Sequence, residues 1–213
     1  EIVAEEGINT KKLIIADDIA SASHEERLKR RGIAGMIYIF KIAGSLAESG
    51  KSIDEVFDLA SLANEKIRTL GVALSPCILP EAGKPTFEIS EDEIEIGMGI
   101  HGEPGIKREK LRKADPLVDD LCERLLKDIK LQPEEKVSIM INSLGSTPLE
   151  ELYIISKRVN ENLSKLKIKI IKSHVGRYAT SMEMAGMSIT ILKLTEDLEK
   201  NLLSNSKCPF WTN

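Results

Sequence analysis

Apolar and polar positions along the chain change periodicity several times, and each change predicts a new element. A short apolar run at residues 12–17, KLIIAD, predicts a buried strand that ends in the carboxylates of Asp17 and Asp18. Apolar positions at helical spacing over residues 30–50 predict a helix, and Gly50 is a suitable end for it. The chain therefore opens with a strand followed by a helix, as α/β units do.

A second helical pattern follows. Ser52, with Glu55 three residues later, has the spacing of a capping box, and Gly71 is placed to end the helix. One strand and two helices cannot close a sheet, because a lone buried strand needs partners for its backbone groups. We therefore expect residues 1–70 to be the incomplete end of a first α/β domain, whose remaining strands are missing or supplied by another chain.

Beyond Gly71 the pattern becomes that of strands joined by turns. Three prolines between residues 72 and 89 predict short extended pieces. Strict alternation over residues 92–100 predicts a half-buried strand that presents His101 at its carboxyl end. The remaining predicted elements are a helix over about 115–129 begun by Asp115 and Pro116, a strand over 136–143, a helix with a capping box at Thr147, Pro148 and Glu150, and strands over 167–175 and 188–194.

This alternation predicts an α/β fold, with helices on the faces of a mixed sheet. We place the domain boundary at Gly71, where the composition changes. Residues 71–213 then form a carboxy-terminal α/β domain with a mixed sheet, preceded by the incomplete α/β segment at residues 1–70.

Composition narrows the class of protein. The 213 residues are 42% hydrophobic and 30% charged, with a net charge of −4, which is enough for a buried core. Aromatic residues make up only 4%, which argues against a base-stacking nucleic-acid surface. No apolar run of about 18 residues predicts a membrane span, and no signal-peptide pattern opens the chain. The widely spaced Cys77, Cys122 and Cys208 indicate reduced thiols in a cytoplasmic protein, without a zinc site.

One stretch has an unusual density of glycine. Residues 97–109, GMGIHGEPGIKRE, place His101 among four glycines. Glycine adopts positive φ or lets another group approach closely. The pattern therefore fits either a glycine-rich turn that holds an incidental histidine or a histidine presented to a small ligand. An imidazole can act as a base, a metal ligand or a nucleophile, but His24 and His174 do not suggest a shared metal site.

Two further stretches suggest weaker candidate sites. Residues 141–148, INSLGSTP, form a strand–loop–helix start that could bind an anion, although a tight turn with a good cap explains the pattern equally, and the nucleotide P-loop pattern is absent. Asp17 and Asp18 could bind a cation or orient a proton transfer, or could cap the next helix.

Two further features of the sequence suggest surface roles. Arg27, Lys29, Arg30 and Arg31 form a basic cluster, which we interpret as a solvated helix start, with a docking patch for an acidic partner as the alternative. Trp211, near the end of the chain, is interpreted as a plug for a surface groove.

Several motifs in fixed order resemble the K subunit of dihydroxyacetone (glycerone) kinase. The resemblance covers about residues 13–193. The motifs that carry it are ADDIA, RRGIAG, GVALSPCILPEAGKPTF, EIEIGMGIHGEPGI, INSLGSTPLEELYI and GRYATSMEMAGMSITILKL.

This resemblance implies a chemistry for His101. In the family, a histidine nitrogen adds to the ketone carbon of dihydroxyacetone and forms a hemiaminal, and the matching residue in GIHGEPG is His101. The resemblance makes His101 the catalytic and substrate-binding residue, with glycines that clear room for a three-carbon ketone. It implies no cofactor on this chain, because ATP or ADP with magnesium is held by a separate nucleotide-binding L subunit. It also implies a homodimer and, in some bacterial relatives, a phosphotransferase-system protein that recharges the nucleotide, whereas in others ATP is the donor.

The chain departs from the family in one respect. The family's upstream Gly-His-Glu-Pro segment and its Thr-Gly-Asp stretch, which position substrate and supply acid–base groups, have no match in these residues. We therefore expect a fragment or one half of a split protein, inactive as a kinase alone. The alternative is a non-catalytic paralogue that senses dihydroxyacetone and binds a transcription regulator.

Overall fold

A six-stranded mixed sheet organises the protein. The computed structural model describes residues 2–79, 81, 83–208 and 211–212. The strands of the sheet are β1 (Ile67–Ala73), β2 (Glu93–Ile96), β3 (Lys107–Lys110), β4 (Lys136–Ser143), β5 (Lys169–Gly176) and β6 (Gly186–Lys193). Their order across the sheet is β3-β2-β1-β6-β4-β5, in which β4 and β5 are parallel and the other pairs are antiparallel.

Helices and a small hairpin complete the described structure. The helices are α1 (Ile2–Glu5), α2 (Met36–Glu48), α3 (Ile53–Lys66), α4 (Ala114–Ile129), α5 (Leu149–Lys165) and α6 (Glu196–Leu203), with a 3-10 turn at Arg27–Lys29. The hairpin pairs β7 (Lys207–Cys208) with β8 (Trp211–Thr212). No helix among the described residues is long and apolar enough to cross a membrane.

The sheet has a hydrophobic core on each face. Successive residues of β4 point in opposite directions, so that Ile139 and Ile141 join one core and Met140 joins the other. The first core is closed by α4 and α5, and the second by α2, α3 and α6. The predicted fold class, a mixed sheet with helices on its faces, is confirmed.

The helix that begins with the Ser52 capping box ends earlier than predicted. The capping box is present, with the hydroxyl of Ser52 accepting from the backbone of Glu55, but the helix ends at Lys66. The chain continues directly into β1, whose seven residues are all buried. A strand buried on both faces shows no alternation, so β1 looked like the last turns of the helix. The division into residues 1–70 and 71–213 stays a prediction, and its junction as drawn lies within β1.

The predicted strand at residues 12–17 is wrong as a strand. These residues form no regular secondary structure, and the next residue, Asp18, makes a single parallel bridge to Thr69 of β1. The backbone N–H of Thr69 donates to the carbonyl of Asp17 (2.8 Å), and that of Ile19 donates to the carbonyl of Thr69 (3.1 Å). The ladder stops there because β2 pairs with the same edge of β1 further along, at Val72.

Other element boundaries also differ from those predicted. Gly50 ends α2 with φ of +77°, as predicted, but the helix begins at Met36 rather than near residue 30. The strand predicted over residues 92–100 ends at Ile96, and α6 was not predicted. The strands at 136–143, 167–175 and 188–194 are confirmed within two residues at each end.

Two predicted helix caps are wrong. Lys113 precedes α4, without a side-chain cap, and Asp115 lies within the first turn. Pro148 precedes α5, and the hydroxyl of Thr147 accepts from the backbone N–H of Gly186 (2.8 Å) instead of capping the helix. Asp115 cannot cap α4 because the helix starts one residue before it. Thr147 does not cap α5 because its hydroxyl is engaged by Gly186 of β6.

The basic cluster is solvated only in part: Lys29 is exposed in the 3-10 turn, as predicted, but Arg30 is not. Arg30 is buried, and its guanidinium donates to both oxygens of Asp128 on α4 (3.0 and 2.6 Å). Arg68 of β1, also buried, donates to the same carboxylate. Burial alone would raise the pKa of Asp128, but the hydrogen bonds and charges of the two arginines outweigh it and hold that pKa well below its ordinary range.

We expect Asp128→Asn to destabilise the fold by roughly 3 kcal/mol at pH 7, because it leaves two buried guanidinium groups without a counter-charge. Since the folded-state pKa of Asp128 is lowered, its contribution is complete above the unfolded pKa of about 3.9 and is lost as pH falls towards the folded value. Urea unfolding of wild type and variant should therefore give a constant difference from pH 7 to 5 that shrinks below about pH 4.

Asp120→Asn is the matched control on the same helix. Asp120 pairs with Arg112 and Arg124 on a more exposed surface, so its loss should cost about 1 kcal/mol or less. Equal effects of the two variants would contradict the central role given to Asp128.

Candidate functional site

His101 lies on a turn that follows β2. The strand stops at Ile96 because Gly97 turns the chain with φ of +80°. Four residues later the turn carries His101, whose side chain is 79% exposed. The histidine is therefore displayed at the surface beside the sheet, and not at the end of the longer strand that the alternation predicted.

Glu103 holds the histidine in place. One oxygen of its carboxylate accepts from the backbone N–H of His101 (3.0 Å), and the other lies 3.3 Å from the ring Nδ1. A carboxylate only accepts hydrogen bonds, so this contact requires the proton on Nδ1. In the neutral ring, Nε2 then carries the free electron pair. No hydrogen bond to Nε2 occurs within the described part of the chain.

The charge of Glu103 supports this arrangement. Partial burial raises the pKa of its carboxyl group, but hydrogen bonds from backbone N–H groups and from His101 outweigh that effect. The net result is a lowered pKa, so Glu103 is ionised at neutral pH and accepts from the ring. The backbone of the loop is tied by two further bonds of 3.0 Å, from Gly99 to the carbonyl of Glu103 and from Gly102 to that of Gly99.

The glycines allow the loop to pack closely against the rest of the protein. A Cβ at Gly97 would lie under 3.0 Å from the side chain of Ala20, and one at Gly105 under 3.0 Å from the carbonyl of Ile96. A Cβ at Gly99 would meet the carboxylate of Glu103 in the same way. The prediction that these glycines clear room for a ligand is therefore wrong at these three positions, because the protein's own atoms fill the space.

Asp18 and Arg31 support the loop from inside. Two nitrogens of the Arg31 guanidinium contact the carboxylate of Asp18: Nε donates to it (2.9 Å), and Nη2 lies 2.7 Å from the same oxygen. Nη2 also donates to the carbonyl of Gly97 (3.1 Å). Asp18 is 1% exposed and also accepts from the backbone N–H of Ala20. Burial raises the pKa of Asp18, and the charge of Arg31 offsets part of that rise.

Asp17 has a different structural task. Its two oxygens accept from the backbone N–H groups of Ile33 (2.8 Å) and Gly35 (2.7 Å), at the start of α2. Burial raises the pKa of this carboxyl group, and the hydrogen bonds lower it in part. Asp17 therefore holds the segment that leads into α2, and Asp18 pairs with Arg31, so neither carboxylate caps the first turn of that helix. No group of three or more metal-ligating side chains occurs among the described residues.

Three backbone N–H groups of the loop at residues 141–148 already donate to other groups of the protein. The N–H of Leu144 donates to Gly186 (3.0 Å), that of Gly145 to the hydroxyl of Ser143 (3.2 Å), and that of Ser146 to Met184 (3.1 Å). The first turn of α5 carries Glu150 and Glu151, which disfavour an anion at this end of the helix. These contacts favour a tight turn over an anion site.

Trp211 packs far from His101 in the sheet order. Its ring stacks on His174 of β5 with 4.4 Å between centroids, and it joins the core formed with α2 and α6. His174 in turn lies 2.8 Å from the hydroxyl of Tyr38 through Nδ1. Trp211 is 7% exposed, so it is part of the core and not only a plug at the surface.

The sequence predicts His101 as the site residue, but two residues that hold its loop, Glu103 and Arg31, are missing from that prediction. Glu103 could have been noticed, since a carboxylate two residues after a histidine in a turn can reach the ring. Arg31 gave no local signal, because its contact with Gly97 spans 66 positions of the sequence.

The fold and this loop define an α/β domain with an exposed histidine on a turn that Glu103 and Arg31 hold by hydrogen bonds. The chain belongs to the Dak1 domain family, which it matches over residues 1–210. The family resemblance predicted from the motifs is thereby confirmed.

Individual proteins agree with this assignment. The dihydroxyacetone-binding subunit DhaK of PTS-dependent dihydroxyacetone kinase 1 from Listeria innocua is 44% identical over 190 residues, covering 89% of this chain and 58% of that subunit. The first three curated relatives are covered over 58% to 64% of their length, so the chain spans about three fifths of each.

Solved structures are similar as well. The native dihydroxyacetone kinase of C. freundii superimposes with a TM-score of 0.87 at 32% identity, over 99% of this chain and 38% of that one. The dihydroxyacetone kinase operon co-activator Dha-DhaQ gives a TM-score of 0.86 at 35% identity, over 96% of this chain and 63% of that one.

We expect two glycine variants of the loop to behave differently. Gly97→Ala places a Cβ against the Ala20 methyl group at positive φ, so it should cost roughly 2 kcal/mol of unfolding free energy. Gly99→Ala meets only the ends of the flexible Glu103 and Arg31 side chains, so it should cost about 1 kcal/mol or less while shifting the ring ¹⁵N resonances of His101. Urea unfolding and NMR measure both, and a larger stability loss for Gly99→Ala would contradict the geometry.

Proposed function

We propose that this chain is the dihydroxyacetone-binding part of a dihydroxyacetone kinase, and that His101 holds the ketone as a hemiaminal. The observation that carries the proposal is the exposed ring of His101, fixed through Nδ1 by an ionised carboxylate. The 44% identity to a dihydroxyacetone-binding subunit supports the choice of ligand.

The proposed covalent step uses Nε2, the ring nitrogen that Glu103 does not contact. Nε2 attacks the carbonyl carbon of the ketone, a C–N bond forms, and the electron pair of the C=O π bond moves to the oxygen. The Nδ1 proton is lost, initially towards Glu103, and the oxygen gains one proton, so the adduct contains every atom of the ketone and no group leaves. Glu103 orients the ring and stabilises the positive charge that the ring carries in between.

This step would select substrates by their carbonyl group. Glycerol has no carbonyl carbon for Nε2 to attack, so it cannot be held in the same way. Because His101 is 79% exposed, the trapped ketone keeps hydroxyl groups accessible to a phosphoryl donor that comes from outside this chain.

The remaining parts of the reaction are assigned to partners. The sequence lacks the P-loop pattern, and the chain is similar to subunits named for binding dihydroxyacetone. We therefore assign the nucleotide, ATP or ADP with magnesium, to a separate L subunit, and recharging to a phosphotransferase-system protein where the donor is not ATP. A homodimer in the cytoplasm completes the proposal, in which the chain by itself transfers no phosphate.

Direct detection of the C–N bond tests the proposal. Protein labelled with ¹⁵N-histidine is mixed with dihydroxyacetone labelled with ¹³C at the carbonyl carbon. We expect a protein-bound sp³ carbon resonance with a one-bond coupling to nitrogen, absent in His101→Asn. A parallel sample contains the part of a curated relative that precedes the matched region. Absence of the coupling in both wild-type samples would overturn the covalent role.

His24→Asn is the matched control for this experiment. His24 is also an accessible histidine beside a carboxylate, since its ring lies 3.4 Å from Asp128 and its side chain is 45% exposed. The adduct should survive His24→Asn. If it were lost there and kept in His101→Asn, the proposed site would be wrong.

A non-catalytic sensor is the second candidate function. The structural similarity to the operon co-activator Dha-DhaQ supports it, with a TM-score equal within 0.01 to that of the kinase. Phosphoryl transfer separates the two functions: addition of an L subunit and its donor should yield phosphorylated ketone if the chain belongs to a kinase. Adduct formation without any phosphorylated product, with the upstream part present, would favour the sensor and its transcription regulator.

A further inference from the structure

We propose that Arg31 is a positioning residue that sets the placement of the His101 ring through the loop at residues 97–103. The proposal rests on the function proposed for His101 and adds a residue that lies outside the histidine motif. Arg31 does not touch the ring. It acts on the backbone that carries the ring and on the space available to Glu103.

The first contact fixes the start of the loop. The backbone N–H of Gly97 donates to the carbonyl of Gly71 in β1 (2.8 Å), and the carbonyl of Gly97 accepts from Nη2 of Arg31 (3.1 Å). Both polar groups of the first loop residue are thereby held. The direction in which the chain leaves β2 is determined by these two bonds, one to the sheet and one to Arg31.

The second contact limits where Glu103 can lie. A Cβ at Gly99 would be under 3.0 Å from the Glu103 carboxylate and also 2.8 Å from Nη1 of Arg31. The guanidinium and the carboxylate therefore both lie beside the space that a side chain at residue 99 would fill. A shift of Arg31 would open or fill the space that Glu103 occupies while it accepts from His101.

Arg31 is itself held on several sides. Its carbonyl accepts from the N–H of Asp18 (3.1 Å), and its own N–H donates to the hydroxyl of Ser21 (2.9 Å). Its side chain bonds the buried Asp18, while the preceding residue, Arg30, is paired with Asp128. The guanidinium is thus fixed to the main body of the protein before it reaches the loop.

The chemistry of the contacts requires arginine. Nε and Nη2 bind Asp18 while Nη2 also binds Gly97 and Nη1 lies above Gly99. A planar fork can face several directions at once, whereas an ammonium group is a single point of charge. Lysine at this position would keep the charge beside Asp18 and lose the hold on the loop.

Variants of Arg31 test the proposal. We expect Arg31→Lys and Arg31→Met to lower the equilibrium constant for adduct formation with dihydroxyacetone by about tenfold, as loss of a group that orients a reacting histidine does. Both should shift the ring ¹⁵N resonances of His101, with those of His24 unchanged. Urea unfolding measured in parallel shows that each sample is folded, and the constants are compared only between folded proteins.

Arg108→Met is the matched control. Arg108 donates to Glu95 in the same β-hairpin (2.7 Å), so the variant also loses an arginine–carboxylate pair, but it has no described contact with residues 97–103. Its adduct constant should stay within about twofold of wild type, because the Arg108 side chain is 45% exposed and donates to Glu95 and not to residues 97–103.

Two outcomes would overturn the proposal. Wild-type His101 resonances in Arg31→Met would show that Arg31 does not place the ring, and restoration of full adduct formation by Arg31→Lys would show that only its charge matters. Failure of the proposed function is a separate result, since wild-type protein would then form no adduct. In that case the resonances of His101 still decide whether Arg31 positions the ring.

Discussion

One edge of strand β1 carries two segments, and the arrangement of the site depends on how they divide it. Thr69 pairs with residues 17–19, and Val72 pairs with β2. A buried strand cannot leave its backbone groups unpaired, so both segments are required to satisfy a single edge. Their meeting point brings Ala20 against Gly97. The carboxylates of an early segment and a loop almost 80 positions later become neighbours for this reason.

The two hydrophobic cores, one on each face of the sheet, hold the strands in place. The core with α4 and α5 and the core with α2, α3 and α6 fix the strands, and Asp128 ties the early loop to α4 through Arg30. Beside these cores the loop at residues 97–105 is buried at its start, where Met98 joins a small apolar cluster, and it becomes exposed at His101. The covalent role proposed for His101 uses the ring nitrogen that Glu103 does not contact, and the chain is similar to a subunit named for binding dihydroxyacetone.

Much of the fold could be predicted from local patterns, and the failures have physical causes. Strands such as β4 stand out because an apolar run is bounded by polar residues, and the Ser52 capping box is a purely local contact. Strand β1 could not be separated from α3, since burial on both faces removes its alternation. His101 was found from its glycines, yet the reason for those glycines was wrong: they accommodate Ala20, Glu103 and Ile96. Arg31 and Gly97 are distant in sequence, and no local pattern joins them.

The position of Trp211 has a practical consequence for spectroscopy. It is the chain's one tryptophan, and it stacks on His174 of β5, at the opposite end of the strand order from β2 and the histidine loop. Its emission therefore reports on the packing of the closing hairpin against the core. The intensity and wavelength of this emission should change when that core unfolds, and should change little when a small ketone binds at His101. An optical assay of ligand capture needs a second chromophore, introduced near the loop.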